Sequence, residues 1–211
     1  MASKRVLAFD FGASSGRAIL ATYADGKIAM QEIHRFSNDP VNLCGTLYWD
    51  VQRLFFEIKQ GITKAVHQGG FDAIGIDTWG VDFGLLDAHG QLVANPVHYR
   101  DERTVGMMEK AYEKVPQQEL YDRTGIQLMR LNTVFQLVSL AENRPDLLER
   151  AETMLLMPDL LAYFLTGAKY AEYSEVSTTQ MLDPKTGDWA YDLLERLGIP
   201  TRLLPKIIDA G

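Results

Sequence analysis

The chain has 211 residues, 46% hydrophobic and 23% charged, with a net charge of −7, the balance of an ordinary globular protein. No run of Lys or Arg exceeds two residues, so the basic footprint of a nucleic-acid binder is missing and no nucleic-acid partner is expected. The single cysteine, Cys44, excludes an internal disulfide. The apolar run after Arg5 meets Asp10 too soon for a signal core or a membrane span, so a cytoplasmic protein without membrane contact is expected.

Val6-Leu7-Ala8-Phe9 reads as a buried strand ended by Asp10. Arg17 to Tyr23 forms a second strand, Asp25-Gly26 a hairpin turn, and Lys27 to Phe36 a third strand. Asp50 caps a helix whose Val51, Leu54, Phe55, Ile58, Ile62, Ala65 and Val66 recur at helical spacing until Gly69-Gly70. Ala73 to Thr78 reads as a buried strand and Phe83 to Asp87 as another, with a short return around Val93 to Val97. From Asp101 onward the pattern is almost entirely helical. Val105, Met108, Tyr112 and Val115 share one face, and Val134, Leu137, Val138 and Ala141 another. Pro158 starts a helix that Gly167 ends, and a last helix spans Tyr191 to Leu197 before Gly198. The order βββαββ, then helices, argues for an α/β domain: a core of about residues 1–98 with a mixed β-sheet, and a helical elaboration of about 101–211.

The turn Asp10-Phe11-Gly12-Ala13-Ser14-Ser15-Gly16-Arg17 carries chemistry. Asp10, at the carboxyl end of a strand, is placed to hold a hydrated Mg²⁺. Gly12 and Gly16 let the backbone curl so that N–H groups converge on an anion, with Ser14, Ser15 and Arg17 adding donors. A Walker loop needs Gly-Lys followed by Ser or Thr, and a dinucleotide turn needs GxGxxG opening a helix; neither is present. By spacing alone, a plain hairpin whose Asp and Ser residues satisfy the turn backbone stays open. Gly75 to Phe83 contributes Asp77, Trp79, Gly80 and Asp82 at a strand end, and Val97 to Arg103 contributes Tyr99 and Arg100. Carboxylates for hydroxyls and an aromatic face for C–H groups suit a sugar. The bland alternative makes Trp79 core, Asp82 a turn acceptor and Asp101 a helix cap. His34, His67, His89 and His98 show no metal-ligand spacing, and no metal site is assigned to them.

The stretch Val6 to Arg17 resembles the first phosphate motif of the FGGY carbohydrate kinases, members of the actin/hexokinase/Hsp70 (ASKHA) superfamily with its ribonuclease H-like, actin-like fold. The resemblance implies ATP and Mg²⁺ as cofactors. It places Asp10 near the metal and Ala13, Ser14, Ser15, Gly16 and Arg17 against the nucleotide phosphates. Thr78 to Phe83 is most similar to the rhamnulokinase branch, as are Thr124 to Gln127, Met157 to Asp159, Leu165 to Gly167 and Ser177 to Leu182. That implies L-rhamnulose as the ketose partner and Gly80, Asp82, Tyr99 and Arg100 as its contacts. Family members carry their catalytic aspartate and adenosine pocket in a second, C-terminal kinase domain. The resemblance therefore implies an N-terminal domain, inactive alone, with no catalytic base in this chain and an exposed cleft face able to dimerise. A kinase of L-fuculose, xylulose, ribulose or glycerol, or a non-catalytic sugar-binding module, remains the alternative.

Overall fold

The computed structural model describes residues 3–210. In chain order its elements are β1 (Lys4–Phe11), β2 (Ser15–Ala24), β3 (Lys27–Ser37), β4 (Val41–Leu43), β5 (Thr46–Tyr48), α1 (Val51–His67), β6 (Ala73–Asp77) and β7 (Phe83–Leu86). Then follow α2 (Met107–Lys114), α3 (Gln117–Thr124), α4 (Thr133–Asn143), α5 (Pro145–Arg150), β8 (Thr153–Leu156), α6 (Met157–Thr166), β9 (Ala171–Glu172), α7 (Tyr173–Val176), β10 (Leu182–Asp183), β11 (Asp188–Trp189), α8 (Tyr191–Leu197) and β12 (Ile207–Ile208). They form two compact units: residues up to Val41 with Asp50–Trp79, and Asn42–Trp49 with residues from Gly80 on. The division falls at Trp79/Gly80 and not near residues 98–101, because β7 pairs antiparallel with β8 of the helical part, Phe83 opposite Leu156.

In the first unit β1, β2 and β3 make the expected antiparallel meander, and β6 joins β1 in parallel, giving the order β3-β2-β1-β6. The Asp50 carboxylate accepts the Arg53 N–H at 3.1 Å and so caps α1. The buried stripe of α1, Leu54, Ile58 and Ala65, packs on a sheet whose buried face shows Leu7, Phe9, Ala18 and Leu20. Each buried Leu, Ile or Phe among these stabilises by about 1.5–3 kcal/mol. Gly61 lets the helix approach closely: a Cβ there would lie 2.6 Å from Phe9 Cε1 and 3.0 Å from Ala18 Cβ. Buried Glu57 ties α1 to β3 by accepting from His34 Nε2 at 2.6 Å, while Lys64 Nζ donates to His34 Nδ1 at 2.8 Å. Two expectations need correction. β1 alternates buried and exposed, with Val6 38% exposed, and β6 is a largely exposed edge with Ile74 38% exposed. Apolar runs alone do not say whether both faces of a strand are covered.

In the second unit β7 is buried at every residue, and α4 buries Thr133 through Leu140. Pro158 sits in the first turn of α6, and Gly167 closes it in the left-handed conformation at φ 74°. Helix α8 ends at Gly198 as expected. Of the face read over 105–115, Val115 is fully buried and Met108 and Tyr112 pack against the core beside Met107 and Ala111, whereas Val105 is 61% exposed, because Gly106 at φ 76° starts α2 afresh. The strands β8 to β12 also interrupt a stretch expected to be helical; at two to four residues they are too short to show a period. No helix among the described residues is long and apolar enough to cross a membrane.

Candidate active site

The first unit carries the turn expected to meet phosphate, residues 10–17. Hairpin pairing sets Asp10 opposite Arg17 and Phe11 opposite Gly16, and Asp10 lies in register with Asp77 on β6. Arg17 Nε stands 3.0 Å from Asp10 Oδ2, both side chains roughly two-fifths exposed. Gly12 N–H donates to the Ser15 carbonyl at 2.9 Å. Asn38, 3% exposed and unremarked in the sequence, grips the loop from behind: its Nδ2 donates to the Gly12 carbonyl at 2.8 Å and its N–H to the Ser14 carbonyl at 3.0 Å. With two carbonyls drawn to Asn38, the electronegative side of the loop is engaged internally, while Ala13 and Ser14 are exposed. That polarity suits an anion. Gly16 plays another part than the one expected. It is a buried strand residue without positive φ, and any Cβ would enter the Phe36 ring. Gly12 likewise lacks a positive φ, so the loop is a pinned hairpin and not a glycine-curled nest.

The second unit carries Gly80, Asp82, Tyr99 and Arg100, the residues expected to contact a sugar. Asp82, 1% exposed, accepts hydrogen bonds from Trp49 Nε1 at 2.6 Å, Gln136 Nε2 at 2.9 Å and Tyr99 N–H at 3.1 Å. Its carbonyl accepts the N–H of Met157 at the start of α6, at 3.1 Å. Burial pushes its carboxyl up to about 6, against the hydrogen bonds from Trp49 and Gln136 and the nearby charge of Arg103. Asp82 is thus a buried hub that places Tyr99; its carboxylate already accepts three hydrogen bonds within the protein and is not open to solvent for the sugar contact expected of it. Trp49, His98 and Tyr99 stack in series, with centroids 4.0 Å and 4.5 Å apart, and Arg100 lies over the Tyr99 ring at 5.2 Å. His98 Nδ1 accepts the Arg100 N–H at 3.0 Å; burial and the neighbouring guanidinium hold the ring down at about 4, so it is neutral near pH 7.

Gly80, Asp82, Tyr99 and Arg100 therefore belong to one local assembly. Sequence reasoning missed its other members: Trp49, Gln136, Thr133 and Thr178. Thr133 and Gln136 stand three apart at the start of α4, a spacing that puts two polar groups on one helix face and was the available signal. Gly80 is glycine for a nearer reason than substrate approach: a Cβ would meet Thr178 Oγ1 at 2.9 Å and its Cβ and Cγ2 at 3.0 Å. Asp159, in the first turn of α6, is pushed up to about 7 by burial. A cavity of about 350 Å³ is lined by Phe83, Leu85, Asp101, Arg103, Ser139 and Arg144 among others. Gly80, Tyr99 and Arg100 are not in its wall.

A pinned hairpin on a mixed sheet, and a helical unit with a buried polar and aromatic cluster, have the actin-like fold of solved sugar kinases. Two solved structures share this fold. Gluconate kinase from Lactobacillus acidophilus superposes with a TM-score of 0.86 at 20% identity, over 98% of this chain and 42% of its own. Xylulose kinase from the same organism gives 0.84 at 20% identity, over 97% and 42%. The model of the FGGY family of carbohydrate kinases, N-terminal domain, matches residues 5–211, and the chain belongs to that family. Curated relatives include the rhamnulokinase of Oceanobacillus iheyensis, 43% identical over 202 residues, and that of Yersinia pestis, 43% identical over 204. These matches cover 95% of this chain but 43% and 42% of the relatives, so the chain spans less than half their length.

Proposed function

We propose that the protein carrying this chain transfers the γ-phosphoryl group of ATP to the primary hydroxyl of L-rhamnulose, giving L-rhamnulose 1-phosphate and ADP. The observation that carries this reading is 43% identity to rhamnulokinases along 95% of the chain. In the transfer, the hydroxyl oxygen bonds to the γ-phosphorus, the bond to the β-bridging oxygen breaks, and the hydroxyl proton passes to a base. Among the site residues of this chain Asp82 is buried and engaged by three protein donors, so the base is assigned to the part of the relatives' length that this chain does not span. A C-terminal kinase domain is accordingly the proposed partner, and closure against it excludes water from the transfer.

Ala13, Ser14, Ser15 and Arg17 line the phosphates in this reading, with Asn38 holding their loop. Asp10, in register with Asp77, fits a hydrated Mg²⁺, which needs only one or two carboxylates beside phosphate and water. No group of three or more His, Cys, Asp or Glu side chains able to hold a metal occurs among the described residues. A bound Mg²⁺ supplies neutralisation of phosphate charge. Arg17 Nε, 3.0 Å from Asp10 Oδ2, would have to share or release that carboxylate for it to hold the metal. On the sugar side Tyr99 offers a ring face and Arg100 donors beside Gly80. The cytoplasm is the proposed location.

The test is product identification by phosphorus NMR on the full-length protein with ATP, Mg²⁺ and L-rhamnulose. A phosphate monoester at C1, formed only with all three present, supports the assignment. ATP hydrolysis without a sugar phosphate contradicts it.

A further inference from the structure

Val81 is a β-branched residue at φ 70°, 8% exposed, a conformation that such residues rarely hold. Asp82 N–H donates to the Gly80 carbonyl at 3.0 Å, closing a γ-turn around Val81 of the rare, strained hand. Strain of this kind persists only where its surroundings over-determine it, and it clusters at ligand sites.

Both polar groups of Val81 are held. Its N–H donates to Thr178 Oγ1 at 3.2 Å. The Thr178 hydroxyl gives its own hydrogen to the Glu175 carbonyl at 2.8 Å, which leaves Oγ1 an acceptor towards Val81. The Val81 carbonyl accepts from Thr133 Oγ1 at 2.7 Å and, more weakly, from Gln136 Nε2 at 3.3 Å. Gln136 Nε2 reaches Asp82 Oδ1 from the same amide. Thr133 and Gln136 stand on α4, and Thr178 packs where a side chain on Gly80 would lie.

We propose that Thr133, Gln136 and Thr178 are positioning residues of the sugar site, clamping Val81 in its strained turn so that Gly80, Tyr99 and Arg100 form one preformed surface. The inference rests on the ketose-kinase reading. Released from the clamp, Val81 relaxes towards negative φ, the peptides on either side rotate, and Asp82 no longer presents its carboxylate to the Tyr99 N–H. The ordering that the clamp performs in the free protein then falls on the ligand, and affinity drops.

Two readouts test this on the full-length protein with Thr133→Val, Thr178→Val and the conservative Thr133→Ser and Thr178→Ser. The first is amide hydrogen exchange at Val81, which needs no substrate: loss of one hydrogen bond speeds it about tenfold in Thr178→Val, while Thr178→Ser stays near wild type. The second is kinetic. Both Val variants raise the KM for the sugar about tenfold and leave the KM for ATP unchanged, and both Ser variants recover most of the loss. Unchanged Val81 exchange in Thr178→Val overturns the clamp itself. Faster exchange with an unchanged sugar KM overturns its role in binding, and sugar and ATP KM rising together marks general loss of fold and does the same. If the wild type takes a ketose other than L-rhamnulose, that sugar is used, so failure of the substrate assignment and failure of the clamp are read separately.

Discussion

Gly61→Ala sets two effects of opposite sign against each other. Gly61 lies inside α1, where alanine ordinarily stabilises a helix by about 1 kcal/mol over glycine. Here the new Cβ would stand 2.6 Å and 2.7 Å from Phe9 Cε1 and Cζ and 3.0 Å from Ala18 Cβ. Reaching an ordinary carbon contact requires the ring to retreat by roughly 1 Å. Phe9 is 1% exposed with Phe11 stacked beside it, and Ala18 is fully buried, so neither has space to yield. Overpacking of this kind costs about 1–3 kcal/mol, so the net effect is a destabilisation of up to about 2 kcal/mol after the helix gain is subtracted. Urea unfolding reads it as a lower midpoint at unchanged slope. Because Asp10 follows Phe9 on β1, the variant should also bind ATP less well in the full-length protein while its sugar affinity stays put. Phe9→Leu combined with Gly61→Ala should recover part of the loss, since the two residues share one contact. A Gly61→Ala protein more stable than wild type would refute the close packing of α1 on β1.

Three further outcomes are expected. Trp49→Phe removes the donor to the buried Asp82 carboxylate and should cost about 1–3 kcal/mol in urea unfolding; an unchanged midpoint would deny Asp82 its place as hub. Asp159 has its carboxyl raised from 3.8 to about 7 by burial, opposed by the Glu172 N–H, so it binds its proton more tightly folded than unfolded. Its stabilisation is full below pH 4 and lost as pH rises through 7. Asp159→Asn should therefore be the more stable protein at pH 8 by on the order of 2–4 kcal/mol and show no such advantage at pH 4; equal pH profiles would refute the desolvation. Finally, Val6, Ile28, Met30 and Ile74 leave apolar surface on the sheet, and weak self-association of this chain should show in concentration-dependent sedimentation. A strict monomer at high concentration would argue against it.

Local patterns made much of the fold legible. The Asp25-Gly26 turn, the Asp50 cap, Pro158 with Gly167, and Gly198 each mark a boundary that the structure keeps, because each acts through its own backbone conformation. What could not be read depends on neighbours far along the chain. Whether the runs at Val6 to Phe9 and Ala73 to Thr78 are covered on both faces is decided by what packs on them, and β8 is a strand only because β7 lies beside it. The same holds for the site. Asp10, Arg17, Gly80, Tyr99 and Arg100 were proposed from local chemistry and resemblance. Asn38, 26 residues from Gly12, and Thr178, 97 residues from Val81, carry no local signal of the backbone groups they hold. Gly16 was read as letting the backbone curl around an anion and Gly80 as a sugar contact, yet their missing side chains make room for Phe36 and Thr178.

The central claim is the substrate. The most direct measurement is kcat/KM of the full-length protein with ATP and Mg²⁺ across L-rhamnulose, L-fuculose, D-xylulose, D-ribulose and glycerol. L-Rhamnulose should rank first by at least about tenfold, the discrimination that one or two pocket contacts supply. Another substrate ranking first, or turnover without dependence on ATP, would contradict the account.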